Sequence, residues 1–336
     1  MTGRARKKNG SAGQRFLCLF CMLLSLCLLA GCTDPDAREL KAGELFSIDG
    51  EVLTRGEAAV FLLSQQAIFA EGGSSLWTRT LGERPFGEVL NDALYAYLVN
   101  LFLMDNAAVR AGIRLSETEK AAVRKAAEAY EKALGREVAA AWEIDSAAIS
   151  RAFTRYTLAQ LYYQQVMHES VPEISDEEAR AVELQLVFLP KEHGLEKARE
   201  VLEEIKKGKT VSEAVRDLSG VTTRKQTVVR GEYGGNIDTF AFSLRSGPWA
   251  PVVEHEDAYC LIQCLEANVA RVTQVNKKKM EQEKREELLL SRLEELAGKV
   301  DYRIHPAEIK QLDVSSAAGV TDVNFYDYTD GLIVVR

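Results

Sequence analysis

The stretch Val182-Glu183-Leu184-Gln185-Leu186-Val187-Phe188 marks the point where this 336-residue sequence changes from a helical to a strand pattern. Apolar and polar residues alternate along most of it, and Pro190 predicts its end because proline cannot donate to a sheet. Further regular segments follow it, namely helices at 196–207 and 211–218, a strand at 227–229, a helical turn at 239–244 and a strand at 259–265. This βααβαβ order predicts a small α+β domain.

Helical spacing dominates both sides of that domain. Four predicted helices precede it, beginning near Thr54, Phe86, Ser116 and Asp145. Glu57 completes a predicted capping box with Thr54. The helix predicted at 272–299 has an apolar stripe that it cannot bury alone, so we expect it to pack on the first four helices. The predicted division is a helical domain at 45–174, the α+β domain at 175–268 as an insertion, a returning C-terminal helix at 269–310 and a tail at 311–336 with a hairpin.

The N-terminal residues have the parts of a secretory signal. Five basic residues precede an apolar stretch at 16–30, which is too short to span a membrane as a helix. The stretch ends in Leu29-Ala30-Gly31-Cys32, which resembles the lipobox that bacterial lipoprotein signal peptidase cuts before its cysteine. That resemblance implies a signal at 1–31, a lipid on Cys32 and a tether at 32–44; the alternative is an uncleaved membrane anchor. Both place the chain outside the cytoplasm, at a membrane, on the periplasmic or cell-surface side.

Charge and motif content exclude several classes of function. The formal net charge is −8, and loss of the basic signal would make it about −13, which argues against a nucleic-acid partner. The histidines lack ligand spacing, and nucleotide-binding and hydrolase motifs are absent from the sequence, so we expect no metal and no cofactor. Cys260 and Cys264 would lie about 13 Å apart along one strand, too far for a disulfide, which predicts free thiols.

The order of elements and several short segments resemble the SurA/PrsA-type foldases, which carry a parvulin-type peptidyl-prolyl cis-trans isomerase domain. The matching segments are Ile48-Asp49-Gly50-Glu51-Val52-Leu53-Thr54, 196–214, Leu244-Arg245-Ser246-Gly247, Pro251-Val252-Val253 and 299–304. The resemblance covers roughly residues 45–310. It implies a helical, chaperone-like N-domain completed by the C-terminal helix, and an inserted parvulin-like domain.

The predicted site departs from the parvulin pattern at two positions. That family places one histidine in the first strand and another in the last, facing each other beneath the prolyl pocket. Here the last-strand position is Cys260, and the first-strand position is Leu186, or Gln185 if the register shifts by one. By the same resemblance, the predicted peptide pocket comprises Tyr233, Ile237, Phe240 and Phe242.

Other residues have two interpretations each. Cys260 is either a reactive thiol beside the peptide site or a small buried hydrophobe. His255 is either a pH sensor between carboxylates or part of a solvated hairpin turn. The aromatic residues of the fourth helix form either a wall for client polypeptides or ordinary core, and they are Phe153, Tyr162 and Tyr163.

Together these features predict a lipid-anchored folding factor that binds unfolded or nascent secreted polypeptides, mainly as a chaperone. Rotation about a peptide bond has a barrier of about 18–20 kcal/mol, which a pocket lowers by binding the twisted amide better than the planar forms. The first alternative is therefore an active prolyl isomerase. The second is an envelope or ligand-binding lipoprotein that reuses the fold. A homodimer is left open.

Overall fold

The computed structural model describes residues 39–169, 171–316 and 321–333. These residues form two compact units. The first contains the described residues up to Glu169 together with those from Leu288 onward, and the second extends to Glu287. Both units combine helices with small sheets, which confirms the α+β class. The predicted signal at 1–31 and the predicted lipidation site Cys32 lie outside the described residues.

The regular elements alternate between helical and strand segments along the chain. In order they are β1 (Glu44–Ile48), β2 (Glu51–Thr54), α1 (Arg55–Phe69), β3 (Thr80–Leu81), β4 (Arg84–Pro85), α2 (Phe86–Arg110), α3 (Glu117–Leu134), α4 (Arg136–Ala141), α5 (Ser146–His168), β5 (Ala181–Pro190), α6 (Leu195–Lys206), α7 (Val211–Ala214), β6 (Thr222–Val229), α8 (Gly235–Ser243), β7 (Val253–His255), β8 (Ala258–Glu266), α9 (Ala270–Ala297), β9 (Tyr302–Ile304) and α10 (Pro306–Ile309). Short 3₁₀ helices lie at Ala70–Gly72, Ser74–Leu76, Lys191–His193 and Phe325–Tyr328.

A three-stranded sheet joins two distant parts of the first unit. The turn between β1 and β2 is formed by Asp49 and Gly50, whose φ angles are 51° and 84°, as a type I′ hairpin turn requires. Strand β1 lies between β2 and β9, so Phe46 is opposite both Leu53 and Ile304. The C-terminal strand is thereby held against the first strand of the chain.

The last part of α9 belongs to the core of the first unit. Leu289, Leu293 and Ala297 are buried there in the same apolar cluster as Phe46 and Phe61. The beginning of α9 instead belongs to the second unit, where the Thr273 hydroxyl accepts a hydrogen bond of 3.0 Å from the Ala181 amide. One helix therefore contributes residues to both units.

The sheet of the second unit is antiparallel, in the order β6-β5-β8-β7. Strand β7 was not predicted, so the observed order is βααβαββ, with one strand more than expected. Alternation along β5 places Leu184 and Leu186 in the apolar core on one face and Val187 and Leu189 in the core on the other. Helix α8 covers the first face, with Ile237 in its core, and α6 covers the second.

One prediction about local structure is wrong. Thr54 Oγ1 accepts a hydrogen bond of 3.3 Å from the Glu57 amide, but the Glu57 carboxylate pairs with Arg151 and Arg155, so the reciprocal half of the capping box does not form. The hairpin expected in the tail is not found in the described residues 321–333. That segment forms a 3₁₀ turn at Phe325–Tyr328 instead.

Candidate functional site

The second unit contains a cleft, which we call the sheet cleft, at the edge of the β5–β6 pair beside the β7–β8 turn. Its volume is about 430 Å³. The positive φ of Glu256, 45°, marks the tight turn that follows β7. The lining residues are Phe188, Pro190, Gly220, Thr222, Arg224, Tyr233, His255, Glu256, Asp257 and Ala258.

Three rings form the wall of the sheet cleft. The centroids of Phe188 and Tyr233 are 6.3 Å apart, and His255 lies 6.3 Å from Phe188 and 6.1 Å from Tyr233. These separations are within the range of favourable aromatic contacts. Such a cluster presents ring faces and edges on which a proline or an apolar side chain can pack.

Arg224 supplies a hydrogen-bonding group to the same cleft. Its Cζ atom is 5.8 Å from the centroid of the Phe188 ring, close enough for a cation–π contact. Burial raises the pKa of the Tyr233 phenol, and a hydrogen bond from Arg224 opposes that rise. The phenol is therefore protonated at neutral pH, and the cleft offers a guanidinium and a hydroxyl to the carbonyl groups of a bound peptide.

The residue beneath the rings is a buried thiol. Cys260 on β8 lies opposite Phe188 on β5 and Val253 on β7. Burial raises the pKa of the Cys260 thiol to about 12, so the thiol stays protonated at neutral pH and is a poor nucleophile. Cys264 is likewise a buried free cysteine.

The strand register shows which first-strand residue shares a face with Cys260. Leu186 is fully buried and belongs to the same apolar core as Cys260. Gln185 is on the alternate position of the strand, and its side-chain amide donates a 3.2 Å hydrogen bond to the Arg224 carbonyl. Of the two first-strand candidates, Leu186 therefore shares the core face with Cys260, and Gln185 does not.

The four predicted pocket residues are distributed between the sheet cleft and the core below it. Tyr233 lines the cleft. Ile237 and Phe242 are buried in the core under α8, and Phe240 is half-buried against that core. The cleft is also lined by Phe188, Arg224 and His255, which were not among the predicted pocket residues. The hairpin turn expected around His255 forms at Glu256 and Asp257, and the half-buried ring of His255, which ends β7, also contacts two other rings.

The first unit contains a second cavity, of about 330 Å³, beside a buried ionic network. Arg155 Nε donates to Glu57 Oε1 at 2.9 Å, and Arg155 Nη1 donates to Asp105 Oδ2. The Arg155 Cζ atom lies 3.5 Å from the centroid of the Phe102 ring. Arg151 Nε reaches the other oxygen of Glu57 at 3.2 Å. The network joins α1, α2 and α5.

Stability of the first unit should depend on the titration of Asp105. Burial, with help from the nearby Glu57 and Glu51 charges, raises the pKa of Asp105 from 3.8 to about 6, against the opposing effect of Arg155. Because the native state then binds the proton more tightly than the unfolded state, stability falls as pH rises between these values. Wild type should lose about 2 kcal/mol relative to Asp105→Asn from pH 4 to pH 7. Urea unfolding across that range measures the difference, and a constant difference would contradict the prediction.

The aromatic residues of α5 are part of the core. Phe153 is fully buried, Tyr162 is buried and Tyr163 is half-buried, all packed in the cluster of the first unit. They are therefore not an exposed wall for a client. In the part of the chain that the structure describes, His, Cys, Asp and Glu do not gather into a group that could hold a metal ion. Among the helices of the described residues, none is both long enough and apolar enough to cross a membrane.

Comparisons with known proteins found similarity among solved structures alone. Neither a protein-family model nor a curated protein matches the chain. The peptidylprolyl isomerase PrsA of Bacillus anthracis is 12% identical, with 60% of this chain and 96% of that chain covered and a TM-score of 0.30. PrsA of Bacillus subtilis is 16% identical, with 75% and 88% covered and a TM-score of 0.24. A SurA-like chaperone of Campylobacter jejuni is 10% identical, with 78% and 99% covered and a TM-score of 0.28. All three are structures of PrsA or of a SurA-like chaperone.

Proposed function

We propose that this chain is a lipid-anchored extracytoplasmic folding factor that binds segments of unfolded secreted proteins in the sheet cleft, and that it acts as a chaperone. The observation that carries the proposal is the three-ring wall of Phe188, Tyr233 and His255 beside Arg224. Rings bind apolar side chains with little dependence on sequence, and a guanidinium binds main-chain carbonyls that every peptide has. That combination suits unfolded clients of many sequences.

The floor of the cleft favours binding over catalysis. An isomerase must bind the twisted amide better than either planar form, because only differential binding lowers the barrier. Beneath the cleft, Leu186 and the protonated thiol of Cys260 belong to the apolar core against which Phe188 packs. The resemblance to parvulin-type isomerases implies a pair of histidines beneath the pocket, and neither Leu186 nor Cys260 can supply their hydrogen-bonding network, so we infer that the cleft holds X-Pro segments without accelerating their isomerisation.

The N-terminal sequence supports the proposed location. Leu29-Ala30-Gly31-Cys32 ends an apolar stretch preceded by basic residues, which is typical of a bacterial lipoprotein signal. With the signal removed the chain would be strongly acidic, so attraction to anionic lipid would not hold it at a membrane. A covalent lipid on Cys32 would hold the chain at the membrane.

Replacing Tyr233 by alanine should weaken peptide binding about tenfold, because loss of one ring from the wall is expected to cost about 1.4 kcal/mol. The probe is a fluorescent peptide with a Tyr-Pro pair, and fluorescence anisotropy measures its affinity. Tyr259→Ala is the matched control, since Tyr259 is a half-buried tyrosine of β8 packed in the core on the opposite face of the sheet.

Two further measurements decide between the candidate functions. We expect suppression of aggregation of a reduced client at stoichiometric ratio, together with no increase in X-Pro exchange rate measured by NMR. Accelerated exchange would instead favour the active isomerase. Equal affinity of wild type and Tyr233→Ala for the peptide, without suppression of aggregation, would reject the proposal and leave a lipoprotein with another ligand.

A further inference from the structure

The C-terminal tail, defined as the described residues 311–316 and 321–333, fills a groove in the first unit. Phe325 is 0% exposed. Its ring centroid lies 4.4 Å from that of Phe153, 5.0 Å from Phe61 and 5.2 Å from Tyr156. Tyr130 closes the group at 6.2 Å from Phe325. We call the site formed by these four rings of α1, α3 and α5 the tail groove.

Side chains of α1 recognise the main chain of the tail. The Phe325 amide donates to Ser64 Oγ at 2.9 Å, while the same hydroxyl donates to the Val60 carbonyl. Gln66 Nε2 donates to the carbonyls of Val314 and Ser316, at 2.9 and 2.8 Å. Main-chain recognition does not depend on the side chains of the bound segment. This is the chemistry by which a groove accepts peptides of many sequences.

The tail does not satisfy every polar group buried beside it. The Tyr130 hydroxyl and the Gln66 Oε1 atom are buried and have no hydrogen-bond partner. Tyr130 is fully buried against Phe325 and Tyr328, and Gln66 is buried against the main chain of residues 314–316. Unpaired buried polar atoms are uncommon in a fixed core because each is costly. A different segment that forms hydrogen bonds with these two atoms would bind more favourably than the tail does.

We propose that the tail groove is a second peptide-binding site, for short segments of unfolded protein that carry aromatic residues, and that the tail occupies it as an intramolecular competitor. This site is separate from the sheet cleft, and it does not depend on the function proposed for that cleft. Free clients would have to displace Phe325 and Tyr326 to enter. Occupancy by the tail would therefore limit binding until clients are abundant.

Cleavage of the tail after folding tests this proposal, because the full chain is still intact while the protein folds. A protease site is inserted between Ser316 and Thr321 in the full chain, in a Tyr233→Ala background that weakens the sheet cleft. The probe is reduced, carboxymethylated α-lactalbumin, which stays unfolded. We expect its affinity to rise at least tenfold after cleavage, with release of the tail fragment on gel filtration. A synthetic peptide of residues 321–333 should reverse the gain, and the same peptide with Phe325→Ala should not.

Hydrogen exchange on the uncut chain gives an independent readout. The Phe325 amide, which bonds to Ser64, should exchange faster when the client is added, while amides in the middle of α5 stay protected. The proposal is overturned if the cut fragment stays bound at unchanged client affinity, or if its release unfolds the first unit by circular dichroism. Unchanged exchange at Phe325 with client bound would also overturn it.

Discussion

Replacing Arg155 by methionine should destabilise the first unit by about 3–5 kcal/mol, because the change leaves buried carboxylates without their main cation. The Arg155 side chain is 7% exposed and Glu57 is 0% exposed, so water cannot take over the lost contacts. Asp105 would lose the same partner. Methionine keeps most of the side-chain volume, so the effect measures the charge and its hydrogen bonds more than the packing on Phe102.

Arg151→Met is the matched control for this change. Arg151 bonds to the same carboxylate, at 3.2 Å, but its side chain is 44% exposed, and exposed pairs contribute about 1 kcal/mol or less. Urea unfolding followed by fluorescence in a Trp249→Phe background reports on the first unit, because Trp77 and Trp142 are then the remaining tryptophans and both belong to it.

The triple change Glu57→Leu, Asp105→Leu and Arg155→Met separates charge from structure. A buried ionic network replaced as a whole by apolar residues is often as stable as before. We therefore expect the triple variant to recover most of the stability lost in Arg155→Met. If Arg155→Met and Arg151→Met cost the same, the two carboxylates would have to be solvated in the native state, contrary to the burial of Glu57.

Local sequence patterns predicted most of the elements because each depends on neighbouring residues. Alternation at 182–188 marked β5, and Ser116 with Glu119 forms the full capping box that opens α3. The same pattern failed at Thr54 and Glu57. There the carboxylate bonds to Arg151 and Arg155, residues nearly a hundred positions later. The ion pairs with Arg151 and Arg155 are therefore more favourable than the reciprocal capping hydrogen bond. The spacing of residues within one helix does not reveal such distant partners.

The sheet cleft was only partly predictable, since it depends on strand register. Tyr233 was placed in it, but Arg224 reaches it because β6 pairs Arg224 with Leu186, two positions from Phe188. His255 reaches it because β7 is a strand of three residues, too short to show a period. A sequence pattern shows which residues alternate, and it does not show which residue of another strand lies opposite.

The tail was unpredictable for a different reason. The residues flanking Thr329-Asp330-Gly331 have the composition of a hairpin, yet Phe325 and Tyr326 are buried among rings of α3 and α5. The gain from burying two aromatic side chains exceeds that from an isolated hairpin, which is marginal in water. Such long-range burial leaves no periodic signature in a segment this short.

Replacing Leu293 by alanine should destabilise the first unit by about 2–5 kcal/mol, the usual cost of truncating a fully buried leucine. Leu293 lies on the last part of α9, is 0% exposed and packs in the core that β1, α1, α2 and α5 build. Leu290→Ala, on the same helix but outside that core, should cost less than about 1 kcal/mol. Denaturation in the Trp249→Phe background measures both variants.

The contrast between these two leucines tests whether the returning helix is a structural part of the first unit. If α9 were an independent rod, its last turns would contribute little to the stability reported by Trp142, and both variants would resemble wild type. A large loss of stability in Leu293→Ala alone means that residues 45–169 do not complete their core without residues 288–297. In that case the sheet domain is inserted between two segments that must meet for the first unit to fold.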